Sequence, residues 1–156
     1  IMLRIYNIKN KKEYIEEVAI LTQNEWGKQT LTSEEYQDKI NRKVQKILKN
    51  LDKKYYSKLI LLKENTLVGF ISIFEHDCKE RPNLAPWYAT MFVKEEFRGK
   101  GYSRILDDAI LEEAKKKKIN RLYLKTTLDN YYEKCGAKFL EILENGEKIY
   151  CFEIGI

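Results

Sequence analysis

Histidine occurs once in these 156 residues, at His76, and cysteine three times, at Cys78, Cys135 and Cys151, with no short metal-ligand spacing among them. A structural zinc site needs several such ligands close together, so no metal is expected. The odd cysteine count, with no apolar secretory leader, points to reduced thiols that act mainly as small apolar side chains. No apolar run approaches the roughly 18 residues that span a bilayer. A cytoplasmic protein without a membrane partner is therefore expected. Proline is confined to Pro82 and Pro86, and neither a repeat nor a low-complexity tract nor an evident linker divides the chain. One domain over residues 1–156 is the expectation.

What is present is ordinary for a soluble globular protein: 44% hydrophobic and 34% charged residues, with a net charge of +5. That excess would suit a nucleic-acid partner only if it were concentrated. Its densest run, Lys115 to Lys118, closes an amphipathic helix, where cations complement the helix dipole. No nucleic-acid recognition motif accompanies it. A modest positive field would assist capture of an anionic ligand.

Hydrophobic periodicity gives the element order. A strand is expected over Leu3 to Ile8, and Asn10 with Glu13 resembles a capping box opening a first helix that ends near Trp26 and Gly27. Thr32 and Glu35 form a second such pair, before a helix of about 18 residues by its spacing. Leu59 to Lys63 and Leu67 to Phe74 read as a hairpin about Glu64-Asn65-Thr66, the second strand running on toward Asp77. After the loop from Cys78 to Pro86 come a strand, Trp87 to Val93, and a helix from near Ser103. That helix turns Ile105, Leu106, Ala109, Ile110 and Ala114 inward, and Asp107, Asp108, Glu112 and Glu113 away. A strand (Arg121 to Thr126), a short helix (Asp129 to Cys135) and two strands (Lys138 to Leu143, Lys148 to Ile154) follow. Asn145-Gly146 joins the last two as a hairpin turn. The order is β-α-α-β-β-β-α-β-α-β-β, an α/β chain with a mixed sheet.

Between the strand ending at Val93 and the helix near Ser103 lies Arg98-Gly99-Lys100-Gly101-Tyr102-Ser103. A strand that feeds a glycine turn and opens a helix is suited to phosphate: glycines admit an anion to the backbone, and the first helical turn offers unpaired N–H groups. Two glycines are too few for the dinucleotide fingerprint, and Gly101 stands where a P-loop needs Ser or Thr.

The turn is similar to the pattern of the GCN5-related N-acetyltransferases: Arg or Gln, two residues, Gly, one residue, then Gly or Ala. Arg98, Gly101 and Ser103 stand at those positions, Ser103 departing from the usual Gly or Ala. Tyr132-Glu133-Lys134-Cys135-Gly136-Ala137 resembles the family's closing motif, and the element order is the family's own. The resemblance implies the acyl-CoA N-acyltransferase fold, with parallel strands 4 and 5 splayed apart. It also implies that acetyl-CoA binds as cosubstrate through the amides of Arg98, Gly99, Lys100, Gly101, Tyr102 and Ser103 and the main chain of Met91, Phe92 and Val93. A bulge is the expected way to splay the fourth strand.

The implied activity is direct acetyl transfer to a primary amine of unidentified identity, on a small molecule, peptide or protein, in a ternary complex. Such transfer needs a neutral amine, donors for the oxyanion and a proton for the thiolate. Tyr132 is the motif's candidate for the acid. Trp87 stands where many members carry a glutamate base, which leaves Asp77, then His76, as candidates for that role. A covalent route through Cys135 lacks a neighbouring histidine. The missing glutamate also favours an alternative, a CoA-binding sensor or structural module with the same fold and little catalysis. A homodimer is common in the family and is a further expectation.

Overall fold

The computed structural model describes residues 2–155 as one seven-stranded mixed sheet with helices on both faces. Strand β1 (Leu3–Asn7) leads through two 3-10 turns, Ile8–Asn10 and Lys12–Tyr14, into helix α1 (Ile15–Trp26). The box expected of Asn10 and Glu13 is absent: Asn7 accepts from the Lys9 amide, and α1 starts behind Tyr14 without a side-chain cap. Helix α2 (Ser33–Asn50) does begin on the reciprocal box of Thr32 and Glu35, which satisfies two otherwise orphaned amide donors.

Strands β2 (Ser57–Lys63) and β3 (Thr66–Phe74) form the hairpin, and β4 (Trp87–Val93) pairs antiparallel with β3. Strand β2 starts two residues before its first leucine, and both added residues, Ser57 and Lys58, are buried. Strand β3 stops at Phe74, so Glu75, His76 and Asp77 begin the loop to β4 instead of extending the strand. Helix α3 (Tyr102–Lys116) returns the chain to β5 (Arg121–Thr126), parallel to β4. Helix α4 (Tyr131–Lys134) precedes β6 (Lys138–Ile142) and β7 (Lys148–Glu153), and β7 inserts between β5 and β6.

Period-2 alternation sorts the strand side chains between two cores. Leu59, Leu61, Ile71 and Ile73 pack under Leu106 and Ile110 of α3. Ile60, Leu62, Leu67 and Phe70 pack on the other face against Val18 of α1 and Ile47 of α2. Two residues of α3 depart from its simple amphipathic pattern: Ile105 lies exposed, whereas Asp107 is buried and hydrogen-bonded to Tyr88. Of the lysine run, Lys117 turns inward and donates to the carbonyls of Lys53, Lys54 and Tyr56, tying the end of α3 to the entry of β2.

Candidate functional site

Strands β4 and β5 touch at one register pair, Trp87 with Tyr123, supported by the Tyr123 amide donating to the Pro86 carbonyl at 3.0 Å. Beyond it they diverge. The cause sits in β4: one residue of β3, Ile71, is opposed by both Thr90 and Met91, and Thr90 has φ of +49°. A β-branched residue in the left-handed region is strained and persists only where its surroundings fix it. Here the Thr90 hydroxyl donates to Ser72 Oγ at 2.7 Å. This bulge bends β4 away from β5 and leaves its far half without a partner on that side.

The opening is a cleft of about 500 Å³, walled by Tyr88, Ala89, Thr90 and Met91 of β4, Leu124 and Lys125 of β5, and Tyr132 of α4. At Met91 it meets a second hollow of about 350 Å³ that runs along Phe92 and Val93 to Arg98, Gly99, Gly101, Tyr102 and Ser103. Gly99 and Gly101 have φ of +76° and +81°, and a Cβ on either would point into open space. The backbone there is therefore bare toward the hollow, as a phosphate cradle requires. Gly101 caps α3 with no side-chain bond to the first amides, which leaves them available to an anion. The Arg98 Nε donates to the Val93 carbonyl at 2.8 Å, and its guanidinium lies over the Phe92 ring, which braces the turn against the end of β4. Lys100 is exposed at the tip of the turn.

Tyr132 is packed edge-on to Tyr88, with ring centroids 5.8 Å apart. Burial pushes its hydroxyl up to about 12, against the opposing effect of its hydrogen bond with Tyr88. Such a group stays protonated through the physiological range. Tyr88 in turn donates to Asp107, whose carboxyl burial raises to about 6. Asp107 was invisible as a site residue because its helical position read as solvent-facing.

Of the candidate bases, Asp77 reaches the cleft, together with Thr22 and Glu147. Burial raises its carboxyl above the usual range, with Lys125 opposing and Glu147 assisting. His76 does not share that cleft: it faces the outer grooves, and its exposed ring stands 4.0 Å from Glu75. Trp87 is fully buried, with Nε1 donating to the Leu84 carbonyl at 2.8 Å, so it fills the core and does not wall the cleft. The Cys135 thiol is raised by burial and by Asp107, the opposite of what a thiolate nucleophile needs. Among the described residues no group of three His, Cys, Asp or Glu side chains gathers as a metal site would, and no helix is long and apolar enough to cross a membrane.

Comparison with known proteins agrees with this fold. The model of the acetyltransferase (GNAT) family matches residues 9–137. An N-acetyltransferase from Staphylococcus aureus Mu50 superposes with a TM-score of 0.70 at 16% identity, over 98% of this chain and 99% of that one. The acetyltransferase of GNAT family from Streptococcus pneumoniae gives 0.68 at 20% identity, over 99% and 100%. The paia N-acetyltransferase from Thermoplasma acidophilum, solved in complex with coenzyme A, gives 0.61 at 19% identity, over 98% and 99%. At such identities the likeness is one of fold. No curated protein matches by sequence.

Proposed function

Because the chain belongs to the GNAT acetyltransferase family, we propose that it transfers an acetyl group from acetyl-CoA to a primary amine within a ternary complex. The observation that carries this reading is the continuity of the two hollows at Met91, with a bare glycine turn at one end and a protonated tyrosine at the other. The open backbone at Gly99 and Gly101 and the unpaired side of β4 fit CoA. Arg98 to Ser103 would hold its pyrophosphate, and the main chain of Met91, Phe92 and Val93 its pantetheine arm. When bound, acetyl-CoA supplies an acyl group already activated as a thioester.

The chain's own residues then manage two protons and one orientation. Acyl transfer to a cationic amine forms a C–N bond and breaks a C–S bond; nitrogen gives up two protons, one of which is balanced by the proton that sulfur gains while the other leaves to solvent. Tyr132 retains its proton to about pH 12 and faces the cleft, so it is the donor to the leaving sulfur. Asp77, held in the same cleft with its carboxyl raised, attracts a cationic amine and accepts its proton directly or through water. The bulge at Thr90 leaves this half of β4 without a β5 partner, and its main-chain amides are the donors proposed for the oxyanion.

Titration calorimetry of CoA and acetyl-CoA into the protein and into an Arg98→Ala, Gly101→Asp double variant tests the reading. Binding by the parent and its loss in the variant are expected; a parent that binds neither thiol nor thioester sinks the proposal. One observation favours the sensor alternative: β4 presents Trp87 to the core where a carboxylate base is common, so the base must come from the loop. Turnover of acetyl-CoA on a broad amine panel decides between them, because a sensor has none.

A further inference from the structure

Lys58 is a lysine in the position of a core residue. On β2 it continues the inward face of Ile60 and Leu62, and it is 3% exposed. Its Nζ makes one hydrogen bond, to Ser72 Oγ at 2.7 Å, and lies 5.4 and 5.2 Å from the ring centroids of Phe70 and Phe74. Among the described residues no carboxylate stands within 4.0 Å of it. A buried ammonium without an anion is costly, and such groups are found paired.

The space it faces is a chamber of about 210 Å³ under α1 and α2, lined by Lys43 and Lys46 of α2, Thr22 of α1, Tyr56, Phe74 and Thr90. Three lysines and no acid share this wall. Thr22 and Thr90 line both the chamber and the cleft, so the chamber opens off the cleft at the bulge, whereas the hollow of the glycine turn joins the cleft at Met91. The cleft itself carries two acids, Asp77 and Glu147, beside a single lysine, Lys125. A molecule that spans both is thus met by carboxylates where the amine must react and by ammonium groups behind it.

We propose that this chamber is the acceptor's second subsite and that the acceptor is a small amine bearing a carboxylate on a short apolar stem, the carboxylate paired with Lys58. The inference rests on the acetyl-transfer reading for the amine end. A carboxylate suits the site better than a phosphate, because the rest of the lining is largely apolar, with Ala19, Ile47 and Phe74 beside the stem. The existing bond network leaves Nζ donors free: Ser72 Oγ receives both Lys58 and Thr90, and two ring faces take no N–H bond of ordinary strength.

The test is titration calorimetry of ω-amino acids of two to six carbons and of diamines of the same lengths, into the full chain, with and without saturating CoA. At least one amino acid is expected to bind about tenfold or more tightly than its matched diamine. Lys58→Met, which keeps the volume and removes the charge, should bring the pair within about twofold. The Lys43→Gln, Lys46→Gln double variant, altered outside the core, should reduce the preference in part. Diamines that bind as well as the amino acids overturn the proposal, as does a preference that survives Lys58→Met. So does a protein that binds CoA and no amino acid of the series. Loss of CoA binding in the parent would instead strike the acetyl-transfer reading, and the titrations without CoA still answer for the chamber.

Discussion

Tyr88, on the floor of the cleft, donates its hydroxyl proton to Asp107, a buried carboxylate on the inner face of α3. The pair ties the strand that borders the glycine-turn hollow to the helix whose first turn would hold phosphate, and it places a carboxylate near Tyr132. Burial raises Asp107 to about 6, so the native state holds this proton where an unfolded chain, at 3.8, has released it. The group thus stabilises the fold least above pH 6, and its contribution is lost as pH rises from about 4 to 6. Asp107→Asn should abolish that trend. Denaturant unfolding at several pH values is expected to show the variant gaining about 2–3 kcal/mol on the parent across that window; parallel curves would refute the assignment.

Tyr132→Phe separates acid catalysis from packing. The ring contacts with Tyr88, Tyr131 and Tyr150 survive the change, and only the hydroxyl is lost. On the fastest amine of the panel, kcat is expected to drop by about 100-fold or more while CoA affinity holds within a factor of about two. Because the hydroxyl titrates near 12, the parent should show no alkaline loss of rate from this group below pH 10. A variant that turns over at the parental rate removes Tyr132 from the mechanism.

Gly69 fixes how closely β3 and β4 approach. A Cβ there would lie 2.3 Å from the Phe92 carbonyl oxygen and 3.1 Å from the Val93 Cα, both backbone atoms that cannot swing aside. Gly69→Ala must push β4 outward at the residues proposed to grip pantetheine. The expected cost is about 1–3 kcal/mol in denaturant unfolding, with CoA binding weakened at least severalfold by calorimetry. Unchanged stability would show that β4 yields freely and that Gly69 does not fix its approach to β3.

Much of this was legible in the chain because it is written locally. The Thr32 and Glu35 box, the glycine turn and the order of elements depend on neighbours in sequence, and each stands where its pattern puts it. The family resemblance that these patterns carry implied the acyl-CoA N-acyltransferase fold with its divergent parallel pair, and the sheet has both. What periodicity missed depends on tertiary neighbours. Asp107 looked solvated on a helical wheel, yet Tyr88 reaches it from β4, nineteen positions earlier. Lys58 lay outside the expected strand, which began at Leu59, yet the β2–β3 register sets it opposite Ser72, on the face that α1 and α2 cover. The Asn10 and Glu13 box failed for the converse reason, since the Asn7 side chain took the nearby amide of Lys9 and tightened the chain into 3-10 turns.

Lys58 leaves a signature in stability as well as in binding. Burial, reinforced by Lys46, lowers its ammonium from 10.5 to about 7, so between those values an unfolded chain takes up a proton that the native state refuses. Without a bound anion, stability should therefore rise with pH from about 7 toward 10, and the full penalty applies below 7. Lys58→Met removes that penalty while Thr90 keeps its bond to Ser72. The variant is expected to exceed the parent by about 2 kcal/mol or more at pH 6.5 and to converge with it near pH 10. A saturating amino-acid ligand should narrow the gap at neutral pH by restoring an anion to the parent's ammonium and to nothing in the variant. If the variant is the less stable protein at pH 6.5, Lys58 already has a sufficient partner within the fold, and the chamber has no need of a carboxylate.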